Sequence, residues 1–559
     1  FCLLQDGDDL AVGESGSLHC RTFKKLIEKI LLLMAIICRG DYPGTAALAS
    51  NASTTDMISS THTEELVIAL CGPIGSPLHS VGDAIRTMLL DSFGYTDCTY
   101  LRLSDFIVEH ASAIDTAIPL QHNFARINAL IEAGNKLRGK YGNGVLAELA
   151  IHRIRLDREQ HKTVSQSARY APRRVVHIID SIKNEEELEL LRLVYRDMLY
   201  VVGVFAPLQT REANLKDLGL TTAQIYSLVD RDSGEESEAG QTVSETFPNC
   251  DFFLRTGDGT DSELKRRVER FLHLVLGTKV ITPTFAETAM YSAAMASANS
   301  ACLSRQVGAA VTDRDGDILS IGWNDVPATG GGLYGRGEHD HRCWNTSGGK
   351  CFNDAEKDKL AQEMVEALAE VIEPQNLPRA KEILRGASKL KGLIEFSRAI
   401  HAEMHAILNA GKTSGMRIDG GKLFVTTYPC HSCARHIVAA GISEVYYIEP
   451  YRKSLAIKLH GDAISEHEID KDKVRILAYD GVAPSQYLSL FRVPQNSRKK
   501  NGKLITMSLK ESSPRLEKSM EALPALEGLV VKSLLEKHLL PERGPLNDGS
   551  PPAPGTAQF

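Results

Sequence analysis

The chain has 559 residues, with 64 Lys and Arg against 71 Asp and Glu for a formal net charge of -7, and 43% of its residues are hydrophobic. That length exceeds what one hydrophobic core usually serves, so two or more domains are expected, and the acidic balance leaves no global basic surface for duplex DNA or long RNA. Eleven cysteines, an odd number without framework spacing, suit a reducing cytosol better than a disulfide scaffold.

The N-terminal stretch is the least domain-like segment. Arg21, Lys24 and Lys25 precede an apolar stretch over 30–38, and Ala47-Leu48-Ala49 has the small residues of a cleavable secretory signal. The stretch is too short to span a membrane, and Arg39 and Asp41 follow at once. The chain starts at Phe1, and Met57 lies just before the next element. Residues 1–60 are therefore read as a disordered extension or upstream translation, and the protein as cytoplasmic, with no membrane attachment.

Residues 65–71 form an apolar run, the pattern of a strand buried on both faces, and 81–90 read as an amphipathic helix. The turn between them, Gly72-Pro-Ile-Gly75-Ser76-Pro77-Leu78-His79, stands where a phosphate-cradling loop would be. Against G-x-x-x-x-G-K-[ST], Gly72 fits, but Pro77, Leu78 and His79 replace the second glycine, the lysine and the hydroxyl. Without the lysine, phosphate charge is poorly neutralised and efficient hydrolysis is not expected. Backbone N–H groups around Gly72, Gly75 and Ser76 still leave nucleotide binding open. Residues 174–180 are an apolar strand ending in Asp180, the layout of a Walker B aspartate, and 199–206 read as the next parallel strand. Strands alternating with helical patterns indicate a doubly wound α/β domain over 61–280. The alternative is a degenerate P-loop-like domain used only as a scaffold.

A second domain is expected over 285–500, with an insertion at about 327–396. The insertion carries Glu338-His339-Asp-His341-Arg-Cys343 and, further on, Cys351. His339, His341, Cys343 and Cys351 are the ligand types of a structural zinc site; a loop with free or buried cysteines is the other reading. Residues 354–372 have helical periodicity with a charged outer face. The insertion is suited to cover an active site or to carry a regulatory nucleotide.

Past the insertion come Ile400-His401-Ala-Glu403-Met-His405 and Thr427-Tyr428-Pro429-Cys430-His431-Ser-Cys433. Together they spell H-x-E…P-C-x-x-C, the signature of zinc nucleobase deaminases. One imidazole and two thiolates give a tetrahedral zinc three ligands and leave the fourth position for water. Glu403, two residues from His401, is placed to carry protons. Residues 422–427 read as the strand that feeds the ligand turn, and Pro429 is expected at the first position of the following helix. A lone C-x-x-C also fits a redox dithiol or half of a structural site. A structural site would need a second Cys or His pair at short spacing, and only His431 and His436 lie near.

On these motifs the segment 290–464 resembles the deoxycytidylate deaminase family, and the run from Ser304 to Asn324 is similar to that family's opening strands. Residues 65–277 resemble the nucleotide-kinase-like domain that precedes the deaminase in bacterial anti-phage deoxycytidylate deaminases, notably at 65–80, 126–144 and 240–253. The resemblance implies an N-terminal P-loop-like doubly wound parallel sheet plus a C-terminal cytidine-deaminase α/β/α domain. It implies catalytic Zn2+, Asn324 against the substrate sugar or base edge, and dCTP or dCMP as substrate. It also implies assembly into a homo-oligomer, control by a regulatory nucleotide or by a repressing RNA or protein partner, and a role in phage defence. His405 departs from the family, which has Asn there. A housekeeping dCMP deaminase of dUMP and dTTP synthesis is the first alternative. A tRNA or single-stranded DNA editor is the second, and it would need stacking aromatics along a basic groove, whereas the chain has two Trp. Arg452, Lys453 and Lys458 are candidate contacts for a small anionic nucleotide. Residues 501–559 read as an extension that is disordered over its Pro- and Gly-rich end.

Overall fold

Two parallel-stranded layers organise the chain, and each grows from runs too apolar to face water. The computed structural model describes residues 62–540, apart from 122, 161–171, 233–241, 258–260, 336, 338, 347, 451–453, 494–497, 516–517 and 520–522. The expectations for residues 1–60 and 541–559, and those for Gly240, Glu338, Arg452 and Lys453, lie outside the described residues.

The first layer contains β1 (Leu66–Cys71), β2 (Asp97–Arg102), β3 (Val175–Ile182), β4 (Leu199–Phe205) and β5 (Phe252–Arg255), in the spatial order β5-β4-β1-β3-β2, all parallel. Every residue of β1 is buried, as its unbroken apolar run requires of a strand covered on both faces. Each Leu or Ile buried this way contributes about 1.5–3 kcal/mol. Helices α1 (Leu78–Asp91), α2 (Val145–Gln160), α3 (Glu185–Tyr195), α4 (Leu208–Asp217), α5 (Thr222–Asp232) and α6 (Asp261–Leu276) accompany these strands. A capping box at Asn184 and Glu187 starts α3.

The second layer contains β6 (Gly308–Thr312), β7 (Ile318–Trp323), β8 (Lys422–Thr427), β9 (Glu444–Glu449), β10 (Ile464–Ser465) and β11 (Val474–Ala478), in the order β10-β11-β9-β8-β6-β7. Strands β8 to β11 are parallel; β6 and β7 form an antiparallel edge. Helix α7 (Phe285–Ser297) opens with a capping box at Thr284 and Glu287. The expected insertion holds α8 (Phe352–Ala367) and α9 (Leu377–Gly386).

The layers are not sequentially separate. Strand β12 (Gly481–Val482), from beyond the second layer, returns to pair antiparallel with Phe252 and Phe253 at the edge of the first. Glu287 anchors it: its carboxylate accepts from the Val482 N–H at 3.0 Å and from Arg270 at 2.7 and 2.8 Å. One apolar core cluster accordingly runs from Leu146 and Phe253 to Met290 and Phe424. The short helix α12 (Ala456–His460) precedes β10, and the chain beyond 500 also contributes order, since α13 (Leu523–Glu536) packs on α2. None of the described helices is long and apolar enough to cross a membrane.

Candidate metal centre and the neighbouring sites

Two helix starts converge at the candidate centre. His401 occupies the N-cap position of α10 (Ala402–Ser414), and Cys430 that of α11 (His431–Ala439). Strand β8 ends at Thr427 and delivers Tyr428, Pro429 and Cys430 to the start of α11. Sequence reading placed Pro429 at the first helical position; it stands one residue before the cap. Cys430 takes the cap because its sulfur accepts from the Cys433 N–H at 3.4 Å, which an extended backbone at Cys430 permits. The start of α11 thus presents a backbone N–H to the Cys430 sulfur, which favours the thiolate.

The Cys430 Sγ lies 3.4 Å and the Cys433 Sγ 3.2 Å from His401 Nδ1, and the ligand atoms of the three all fall within 4.8 Å of one another. Metal bonds of about 2.0–2.3 Å imply tetrahedral edges of roughly 3.6 Å, so the donor set fits a single zinc ion. Hydrogen bonds from Cys433 and His401 hold the Cys430 thiol down to about 4, and the Cys430 sulfur in turn raises His401 to about 9. Cys433, which shares its proton with Cys430, is pushed up. Glu403, 4% exposed beside them, has its carboxyl raised by burial, the setting of a group that must both take and return a proton near neutrality.

A cavity of about 240 Å³ opens above the trio, and His401, Glu403, Cys430 and Asn324 reach it. Asn324 is less free than its assigned role supposed. Its side-chain amide donates to the Arg305 carbonyl at 2.8 Å and accepts from the Val307 N–H at 2.7 Å. It therefore fixes the 305–307 turn along the cavity wall. His405 acts in the same way a layer further back, its Nδ1 lying 3.2 Å from the Trp323 N–H. Phe352 and Arg398 also line the cavity, with the Arg398 guanidinium 4.9 Å above the Phe352 ring. Sequence reading missed both, because only the folding of the insertion brings its helix start against residues just ahead of His401.

Among the described residues, His401, Cys430 and Cys433 form the one group with metal-ligand spacing. His339, His341, Cys343 and Cys351 are not gathered into such a group. His339 and His341 are exposed, and the His341 ring packs edge-on against Tyr334. Cys343 and Cys351 instead lie with Cys302 along the catalytic cavity. The separation follows from the loop's own bonds: Asp340 is paired with Arg342 at 2.7 Å, and Cys351 stands at the start of α8.

At the turn after β1, glycine is needed at 72, where a Cβ would meet the Val204 carbonyl oxygen at 2.3 Å, and Gly75 has φ +83°. The seat for an anion is nevertheless filled from within the chain. The Ile74 N–H donates to Asp232 at 2.6 Å, and Lys183 donates to the same carboxylate at 2.9 Å and to the Gly72 carbonyl at 2.8 Å. The Ser76 hydroxyl is buried without a partner among the described residues. Asp180 accepts from the Tyr100 hydroxyl at 3.0 Å, and burial raises its carboxyl. Lys183 and Asp232 carried no motif signal, since they reach the turn from 111 and 158 residues away.

Residues 283–449 match the family described as the cytidine and deoxycytidylate deaminase zinc-binding region. The chain is 32% identical over 177 residues to the deoxycytidylate deaminase of Enterobacteria phage T4, a match covering 30% of this chain and 80% of that enzyme. It is 50% identical over 56 residues to ComE operon protein 2 of Bacillus subtilis (strain 168), spanning 10% of this chain and 29% of that protein. Among solved structures, the dCMP deaminase of cyanophage S-TIM5 in complex with dCMP and dUMP aligns with 25% identity, 36% of this chain and 99% of that one, at a TM-score of 0.22.

Proposed function

Because this chain belongs to the cytidine and deoxycytidylate deaminase family, we propose that it hydrolyses the amino group of a free deoxycytidine nucleotide to give the deoxyuridine nucleotide and ammonia. Membership makes it a hydrolase of the deaminase type. The observation that carries the reading is the Glu403 carboxyl, buried beside the His401, Cys430 and Cys433 donor set at a cavity of about 240 Å³.

Zinc bound by those three residues supplies Lewis acidity that makes water nucleophilic near neutral pH. Glu403 takes a proton from the attacking water and passes it to the ring nitrogen next to the reacting carbon. As the C–N bond breaks, the same carboxyl delivers the second proton to the departing amine, so water and cytosine become uracil and ammonia with no other reactant. Asn324 holds the 305–307 turn against the substrate, and Arg398 offers a cation for its phosphate. The T4 enzyme is named for deoxycytidylate, which supports a monophosphate; dCTP stays in the test as the competing substrate. A regulated role in nucleotide depletion during phage infection, with the first layer as the controlling unit, rests on the resemblance of residues 65–277 to the domain that precedes the deaminase in bacterial anti-phage deoxycytidylate deaminases.

The test is release of ammonia and uracil nucleotide from dCMP, dCTP, cytidine and a cytosine-containing oligonucleotide by the zinc-loaded full chain, with Glu403→Ala alongside. Turnover of a free deoxynucleotide that falls by about 10²–10⁴ in the variant is expected. Activity confined to the oligonucleotide, or a variant as active as the parent, would overturn the reading.

A further inference from the structure

Arg305 and Arg398 are the only Arg or Lys side chains among the described residues that line the catalytic cavity. Lys458, one of the cations singled out from the sequence for an anionic nucleotide, is exposed on α12 and does not line it. Arg398 comes from the chain just ahead of His401, and Arg305 from the turn between α7 and β6.

Arg305 is fixed at both ends. Its carbonyl accepts from the side-chain amide of Asn324 at 2.8 Å, and Asn324, 8% exposed, also accepts from the Val307 N–H at 2.7 Å. At the other end, its Nη1 lies 3.0 Å from a carboxylate oxygen of Glu449, the last residue of β9. Glu449 is itself part of the frame around the metal-bearing turn. Its second carboxylate oxygen accepts from the Thr427 hydroxyl at 3.0 Å, and its carbonyl accepts from the Tyr428 N–H at 2.8 Å. The Arg305 side chain therefore bridges the 305–307 turn and the strand end that delivers Cys430.

A surface ion pair alone does not account for this arrangement. The two side chains are 49% and 28% exposed, so the pair is screened and adds little to stability. Only Nη1 is engaged among the described residues, which leaves the Nε–H and the second terminal nitrogen as donors. A guanidinium held at a cavity wall with unused donors suits a phosphate, whose oxygens take its fork bidentately. A phosphate monoester carries a charge of about -1.5 to -2 at neutral pH, so one guanidinium leaves part of it unmatched and two match it.

We propose that Arg305 binds the 5′-phosphate of the nucleotide in the catalytic cavity, and that Glu449 is the positioning residue that holds its guanidinium there. The assignment rests on the free-nucleotide reading above and names the group by which the site recognises a nucleotide. Equilibrium dialysis of dCMP against the zinc-loaded full chain carrying Glu403→Ala reads binding without turnover. Adding Arg305→Gln to that parent is expected to weaken dCMP binding by at least about tenfold, with zinc content and melting temperature unchanged. Arg305→Lys, which keeps the charge without the fork, should bind at least about threefold more tightly than Arg305→Gln. Glu449→Gln keeps an acceptor for Thr427 and loses the charge that tethers Arg305. It should weaken dCMP by about threefold in the parent, through the cost of ordering a freed side chain, and by less than about twofold beside Arg305→Gln. The phosphate assignment is overturned by no dCMP binding to the parent, by Arg305→Gln within about twofold of the parent, or by Arg305→Lys as weak as Arg305→Gln. Equal losses from Glu449→Gln with and without Arg305, or tighter binding, overturn the positioning role. A chain that binds dCMP through Arg305 but, with Glu403 intact, releases no ammonia from it fails the deaminase reading and keeps this one. Deamination of dCMP with binding indifferent to Arg305→Gln does the reverse.

Discussion

Replacing Glu527 by alanine is expected to loosen the C-terminal helix from the first layer and to destabilise the whole chain. Glu527 is fully buried on α13, with both carboxylate oxygens 2.5 Å from one nitrogen of Arg158 and one of them 3.2 Å from the Tyr195 hydroxyl. Arg158 is 2% exposed and also holds Glu65 at 2.6 Å. Stranding a buried charge costs about 3–5 kcal/mol. Arg158 keeps Glu65 in the variant, which places the loss near the lower end, about 3 kcal/mol, or roughly a 150-fold rise in the unfolded population. Urea unfolding followed by circular dichroism reads the loss as a lower midpoint at unchanged slope. Glu536→Ala is the control: it lies on the same helix with its side chain 70% exposed, and it should stay within about 0.5 kcal/mol. A Glu527→Ala midpoint equal to that of the control would refute the reasoning, and would mean that α13 adds nothing to the stability of the first layer.

Chelation or Cys433→Ser should remove zinc and abolish deamination, and zinc addition should restore the chelated wild type but not the variant, as read by metal analysis with ammonia release. Burial alone would raise the Glu65 carboxyl, but His177 and Arg158 outweigh it and hold it well below its ordinary 4.5. Its stabilising contribution is therefore complete above that value and is lost as pH falls through the lowered one, so the stability gap between wild type and Glu65→Gln should be widest near neutrality and narrow toward strong acid. Gly322→Ala would put a Cβ 2.4 Å from the Ala406 nitrogen and 2.6 Å from the Ala402 carbonyl oxygen. Backbone cannot yield as a side-chain tip can, so β7 and α10 should separate at a cost of about 1–3 kcal/mol with reduced zinc affinity, measured by thermal melting and metal titration.

Chemistry held within one or two turns of chain was legible in the order of the amino acids. The strand Lys422–Thr427 and a helix start carrying Cys430 and Cys433 were readable because hydrophobic period and helix-start signals act over a few residues, although Pro429 marked that start two positions early and the cap role of Cys430 was not read. The same holds for His401 and Glu403, which share one helix start. The alternation behind β1, β3 and β4 was readable too, since buried parallel strands must be continuously apolar. The degenerate glycine turn shows the limit. Its missing lysine was visible, whereas Lys183 and Asp232, which fill the anion seat, were not. Only the assembled fold settles that β12 returns to the first sheet, that the insertion sets Phe352 against Arg398, and that Arg158 meets Glu527 across 369 residues. Such contacts are selected by the burial and charge balance of the completed core, and no local period or spacing encodes which distant partner completes a buried charge.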